Sequence, residues 1–159
     1  VGAVGACLDA LRARDLEEPT LAAVDSGRPF LGICVGMQML FTSSEENPEA
    51  KGLDVIPGTV RWIPRTGGVK IPQMQWNRLD IVDPAEPRLA HLGAEPHVYF
   101  VHSYALKPEH RDHVAARCYY GGKLVAAVAR DNLFGTQFHP EKSQKAGQTL
   151  LANFLRWKP

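Results

Sequence analysis

The chain has 159 residues, 45% of them hydrophobic and 22% charged, with a net charge of +1. That composition suits one soluble globular domain with a real core and gives no reason to expect nucleic acid or an anionic membrane as a partner. Its longest apolar runs are too short to span a bilayer, no signal peptide is visible, and its three cysteines (Cys7, Cys34, Cys118) fit a reducing cytosol better than a disulfide framework or a metal site.

Val1-Gly2-Ala3-Val4-Gly5 reads as a glycine-rich loop. A helix is predicted from Ala6 to Arg14, with Cys7, Leu8 and Leu11 on its apolar side, so Cys7 is read as a packing residue. Pro19 opens a second short helix through Val24, closed by Gly27. Phe30 to Ile33 is a short buried strand, and Met37 to Phe41 is read as a helix. Between them lies Gly32-Ile33-Cys34-Val35-Gly36, a nucleophile elbow in outline. Glycines on both sides of the cysteine let the turn tighten, and a helix N-terminus behind the sulfur favours its thiolate. An isolated cysteine is more often a small buried hydrophobe. Placed in G-x-C-x-G between strand and helix, Cys34 reads as a nucleophile.

Ser43 to Pro48 is a polar loop, Leu53 to Ile56 is apolar, and Pro57-Gly58 is a turn. Strands are predicted over Thr59 to Ile63, Ile71 to Trp76, Leu79 to Val82 and His97 to Tyr104. Val114 to Tyr120 and Leu124 to Ala129 form a hairpin about Gly121-Gly122, and Leu133 to Phe138 is a further strand. Gln144 to Trp157 is a terminal helix with Ala146, Leu150, Phe154 and Trp157 on one face. No repeat or linker divides residues 1–159, so they are read as a single α/β domain with a central, mostly parallel sheet.

The last strand ends in a second chemical motif, Gly135-Thr136-Gln137-Phe138-His139-Pro140-Glu141. In an extended segment His139 and Glu141 share a face, and Pro140 holds His139 extended. A carboxylate that orients an imidazole, which in turn deprotonates a thiol, is the logic of a Cys-His-Glu triad. A surface histidine beside a solvated glutamate is the ordinary alternative, and the upstream elbow weighs against it.

Together the two motifs resemble those of the class I glutamine amidotransferases, with Cys34, His139 and Glu141 as the triad. More narrowly, the chain is similar to the glutaminase subunits of imidazole glycerol phosphate synthases. Lys70-Ile71-Pro72 with Trp76-Asn77, and Tyr99-Phe100-Val101-His102-Ser103-Tyr104, carry that narrower likeness. They set the chain apart from the anthranilate and aminodeoxychorismate branches. An inactive partner-binding fragment and a papain-like peptidase are further alternatives, the second without its local signature. Where the family usually has a His and a Gly around the Met before Trp-Asn, this chain has Gln73 and Gln75. The family also begins with a strand, a helix and a strand ahead of the stretch at Val1. About 50 residues, one βαβ unit with its loop, would be missing from the front, and a parallel sheet without them would expose an edge.

The resemblance implies a flavodoxin-like fold and hydrolysis of glutamine to glutamate and ammonia without a cofactor or metal. It implies an oxyanion hole from the backbone of Val1, Gly2 and Val35. Gln38, Glu46, His102, Ser103 and Tyr104 would hold the substrate. The partner would be a (βα)8-barrel cyclase that receives the ammonia, faced by Trp76 and Lys142. The cyclase would make imidazole glycerol phosphate and aminoimidazole carboxamide ribotide in histidine biosynthesis, in the cytoplasm.

Overall fold

A computed structural model describes residues 2–159, so the expectation for Val1 lies outside the described residues. Two helices come first, α1 (Val4–Arg12) and α2 (Glu17–Asp25), followed by strand β1 (Phe30–Ile33) and the one-turn helix α3 (Val35–Gln38). Strands β2 (Phe41–Ser44), β3 (Ile56–Trp62), β4 (Gln73–Arg78), β5 (Asp80–Ile81), β6 (His97–His102) and β7 (Tyr104–Pro108) come next. The hairpin β8 (Val114–Tyr119) and β9 (Lys123–Arg130), strand β10 (Leu133–Thr136) and helix α4 (Gln144–Arg156) complete the fold.

The main sheet runs β1-β10-β9-β7-β3-β2, with β8 and β5 attached through β9. It is mixed, with parallel pairs at its two ends, β1 with β10 and β2 with β3. Strands β4 and β6 form a separate antiparallel ribbon. Alternating side chains divide the core between the sheet's two faces. In β10, Leu133 joins the cluster under α1 and α2, whereas its neighbour Phe134 joins the cluster with Phe100, Phe138 and Leu150 of α4. The α/β class is the expected one, but the expected mostly parallel sheet is not seen among the described strands. Only β1–β10 and β2–β3 pair in parallel, and the pairs made by β9, β8, β7 and β5 are antiparallel, as the short β8–β9 and β9–β10 connections require of their strands.

Three elements differ from the sequence reading. The predicted helix through Phe41 ends after one turn, because Phe41 pairs in parallel with Ile56 and is fully buried. A short apolar run suits helix or strand equally well, and the β3 edge decides it. Pro57-Gly58 lies within β3 rather than in a turn. Gly58 there has φ of +148°, and a Cβ would lie 2.5 Å from the Lys107 carbonyl oxygen. The stretch His97 to Tyr104 is two strands. The chain breaks at Ser103, so β6 pairs with β4 in the ribbon while β7 pairs with β3 and β9 in the main sheet. That break forms one wall of the site.

Candidate active site

Parallel pairing of β1 with β10 brings the two sequence motifs together. Ile33 lies opposite Thr136, and the Cys34 N–H donates to the Thr136 carbonyl at 2.7 Å. The elbow and the Gln137–Glu141 segment therefore leave neighbouring strands at their C-terminal ends, where α/β sheets place their ligands. Cys34 has φ of 51° and ψ of −114°, outside the wells a side chain prefers, a geometry that costs about 1–3 kcal/mol and recurs at functional turns. The tightness rests on Gly32, where a Cβ would lie 2.9 Å from Met37 Cα. Gly36 has open space around it, so only one of the two glycines is required by close packing.

Cys34 lines a cleft together with Gly2, Val35, Gln38 and Glu46 on one side and His102, Ser103 and Tyr104 on the other. Eight of the sequence-derived site residues thus share one cavity. Pro72 and Val101 line it as well and were not foreseen. Burial pushes the Cys34 thiol up from its ordinary value. The Val35 N–H and the Gln137 amide pull it down, and the nearby Glu141 carboxylate adds to the rise. Burial wins over the N–H of a one-turn helix, so the expected thiolate is not the resting form; Cys34 rests as a thiol.

His139 is buried and is not among the residues lining the cleft. Its Nδ1 is 2.6 Å from Glu141 Oε1, and its Nε2 is buried with no hydrogen-bond partner among the described residues. The pair does not share a strand face as predicted. β10 ends at Thr136, and a 3-10 turn over Pro140–Lys142 swings Glu141 back onto the ring. The Ser143 hydroxyl donates to the His139 carbonyl at 2.6 Å and accepts from the Tyr99 N–H at 3.0 Å, tying this turn to β6.

The wall residues are held by directed hydrogen bonds. His102 Nδ1 lies 2.7 Å from the Tyr104 carbonyl oxygen and so must donate to it. Burial drives the His102 pKa down to about 4, which keeps the ring neutral and leaves Nε2 with a lone pair. Gln73 Oε1 lies 2.8 Å from Nε2 while Gln73 Nε2 has no partner among the described residues, so a neutral ring requires the Gln73 amide turned end for end, with its NH2 group serving that lone pair. His102 therefore offers the cleft its backbone rather than a free ring nitrogen. Glu46 accepts the Val4 N–H at 2.8 Å, so it anchors the start of α1 while bordering the cleft. The Tyr104 ring packs edge-on against Trp62 with centroids 5.1 Å apart. Trp76 stands half-exposed on the ribbon against Tyr99, and Lys142 is exposed beside Glu141. Among the described residues no group of three or more His, Cys, Asp or Glu could hold a metal ion.

Gln137 is the functional candidate that sequence reading passed over. It is fully buried, and its amide touches both Cys34 Sγ and Gln38. No sequence signal marks it, because its role shows only once both ends of its amide are seen to be used.

The glutamine amidotransferase class-I model matches residues 10–157. The imidazole glycerol phosphate synthase subunit HisH of Syntrophotalea carbinolica is 51% identical over 159 residues, covering 97% of this chain and 77% of that protein. The protein of the same name from Microcystis aeruginosa is 48% identical over 157 residues, covering 98% of this chain and 74% of that protein. Among solved structures, a glutamine amidotransferase superposes with a TM-score of 0.65 at 20% identity over 91% of this chain and 70% of its own. PurLQS from Thermotoga maritima does so with a TM-score of 0.66 at 18% identity over 88% of this chain and 66% of its own. At those identities the structures speak for the fold alone.

Proposed function

The chain belongs to the class I glutamine amidotransferase family, and from that premise we propose that it is the glutaminase subunit of an imidazole glycerol phosphate synthase. The observation that carries the reading is the conjunction at the β1 and β10 ends. A cysteine on a strained elbow faces a cleft, and an imidazole with a bound carboxylate and an unpartnered Nε2 stands in the segment that follows the adjacent strand.

The chemistry follows from those groups. Because burial holds Cys34 as a thiol, attack on the glutamine side-chain amide needs a base at the moment of reaction. His139 Nε2 takes the thiol proton, and Glu141 at Nδ1 stabilises the imidazolium so formed. The sulfur bonds to the amide carbon, and the amide oxygen becomes an oxyanion for which the backbone of Val35 and Gly2, both lining the cleft, supplies donors. His139 then returns the proton to nitrogen, the C–N bond breaks, and ammonia leaves. Water, deprotonated by His139, attacks the thioester carbon and releases glutamate with the thiol restored. Gln38, Glu46 and the backbone of His102, Ser103 and Tyr104 hold the substrate's remaining polar groups.

Ammonia released to water would be protonated and lost as a nucleophile, so a partner must receive it directly. The reading gives that role to a (βα)8-barrel cyclase, docked over Trp76 and Lys142, in the cytoplasm. Glutamate release, followed with and without that cyclase, tests the proposal. Stimulated, stoichiometric release of glutamate and ammonia is expected. No release in either condition overturns it.

A further inference from the structure

A buried glutamine is costly unless both ends of its amide are used. Gln137 is fully buried at the end of β10, held by its own N–H on the Ala126 carbonyl at 2.8 Å. Its Oε1 accepts from Gln38 Nε2 at 3.0 Å, and its Nε2 donates to Cys34 Sγ at 3.8 Å. The Gln38 nitrogen is also directed at the Tyr104 carbonyl oxygen, 3.4 Å away. A carbonyl oxygen can only accept, so it sets the direction of the whole series. It fixes the Gln38 amide with nitrogen inward, which presents that nitrogen to Gln137 Oε1. Gln137 Nε2 is left pointing at the sulfur. Gln38 Nε2 has two protons, and these two acceptors occupy both. Its Oε1 is the end left for the cleft.

We propose that Gln137 is a positioning residue of the site, aiming an N–H at the Cys34 sulfur and fixing the Gln38 amide with its oxygen towards the substrate. The first contact stabilises negative charge on sulfur as the thiol is deprotonated. The second makes Gln38 an acceptor, matched to a substrate ammonium or amide N–H and mismatched to a carboxylate. This assignment rests on the glutaminase reading only for its role in turnover. The contact with the thiol stands apart from it.

Alkylation of Cys34 by iodoacetamide in this chain, followed against pH and read on the Cys34 peptide by mass spectrometry, tests the assignment. Gln137→Met removes both amide ends at similar volume. The half-reaction pH is expected to rise by about half to one unit, and alkylation at pH 7 to slow about 3- to 10-fold. Gln38→Met removes the group that orients Gln137 and gives an independent variant should Gln137→Met fail to fold. It is expected to move the half-reaction pH in the same direction, an effect that loss of packing alone would not produce. In glutamine turnover Gln38→Met should raise KM more than it lowers kcat, and Gln137→Met should lower kcat. Unchanged alkylation profiles in the folded variants overturn the positioning role while leaving the glutaminase reading intact. Shifted profiles in a protein whose parent form releases no ammonia support the contact and overturn the glutaminase reading.

Discussion

Acidification tests the wall of the cleft most sharply through His102. In the folded chain its pKa falls from 6.5 to about 4, because burial opposes the charged ring more than the Tyr104 carbonyl favours it. A base whose pKa is lowered by folding binds more protons when unfolded. Its contribution to stability is therefore complete above the unfolded value and is lost as pH falls towards the folded one. With those two values, moving from pH 7.5 to pH 5 costs about 2 kcal/mol, and moving below pH 4 costs about 3 kcal/mol. His102→Gln keeps a polar side chain but cannot titrate. Urea unfolding of parent and variant at pH 7.5 and pH 5, read by tryptophan fluorescence, isolates this contribution from all others that titrate. The parent should lose about 2 kcal/mol more than the variant over that interval. Equal losses would refute the buried, neutral ring. The Tyr104 carbonyl would then have a different donor, and the direction of the Gln38 and Gln137 amides would lose its anchor.

At Gly147 a Cβ would lie 1.8 Å from the Pro140 carbonyl oxygen. Gly147→Ala should therefore push α4 off the turn that carries Glu141, lowering stability by about 1–3 kcal/mol despite alanine's better helix propensity. Thermal melts and glutamate release report the two effects, and a more stable, fully active variant would contradict the packing. On the proposed roles, with His139 carrying the proton and Glu141 orienting its ring, His139→Ala should cut glutamate release by about 10²- to 10⁴-fold and Glu141→Gln by less. Steady-state kinetics decide this, and a reversed order would contradict the roles. Trp76→Ala and Lys142→Ala should weaken cyclase-stimulated turnover while leaving Cys34 alkylation in the free chain unchanged. Trp76 should have the larger effect, about 2 kcal/mol or more if it is a packing anchor, and Lys142 an effect that fades with salt. Titration calorimetry against the cyclase measures both, and normal binding by both variants would move the docking face elsewhere.

Local chemistry made the site legible before the fold was. The elbow at Cys34 and the His139-Pro140-Glu141 run could be read as motifs because each needs particular residues at fixed spacing. The strand Phe30–Ile33, the β8–β9 hairpin and α4 were readable from apolar pattern and glycines. The fate of Phe41 was not, since its strand state comes from Ile56 across the sheet, a contact that local pattern does not encode. Nor was the break at Ser103, where one continuous β-rich run serves two sheets. The raised thiol at Cys34 was misread for a related reason. A helix N-terminus was visible in sequence, but the burial that outweighs it depends on strands distant along the chain. Gln137 escaped notice because a glutamine carries no signal of its own until both amide ends are seen to be used.

The central claim is that Cys34 is the nucleophile of a glutamine amidohydrolase. Its most direct test is a glutamine-like chloroketone or diazoketone applied to the chain with its cyclase, with labelled peptides identified by mass spectrometry. Glutamate release is followed in parallel for Cys34→Ala. Cys34 should be labelled in preference to Cys7 and to the buried Cys118, glutamine should protect it, and Cys34→Ala should fold normally and release no ammonia. Glutamate release at the parent rate by Cys34→Ala, or glutamine-protected labelling at another cysteine, would contradict the account.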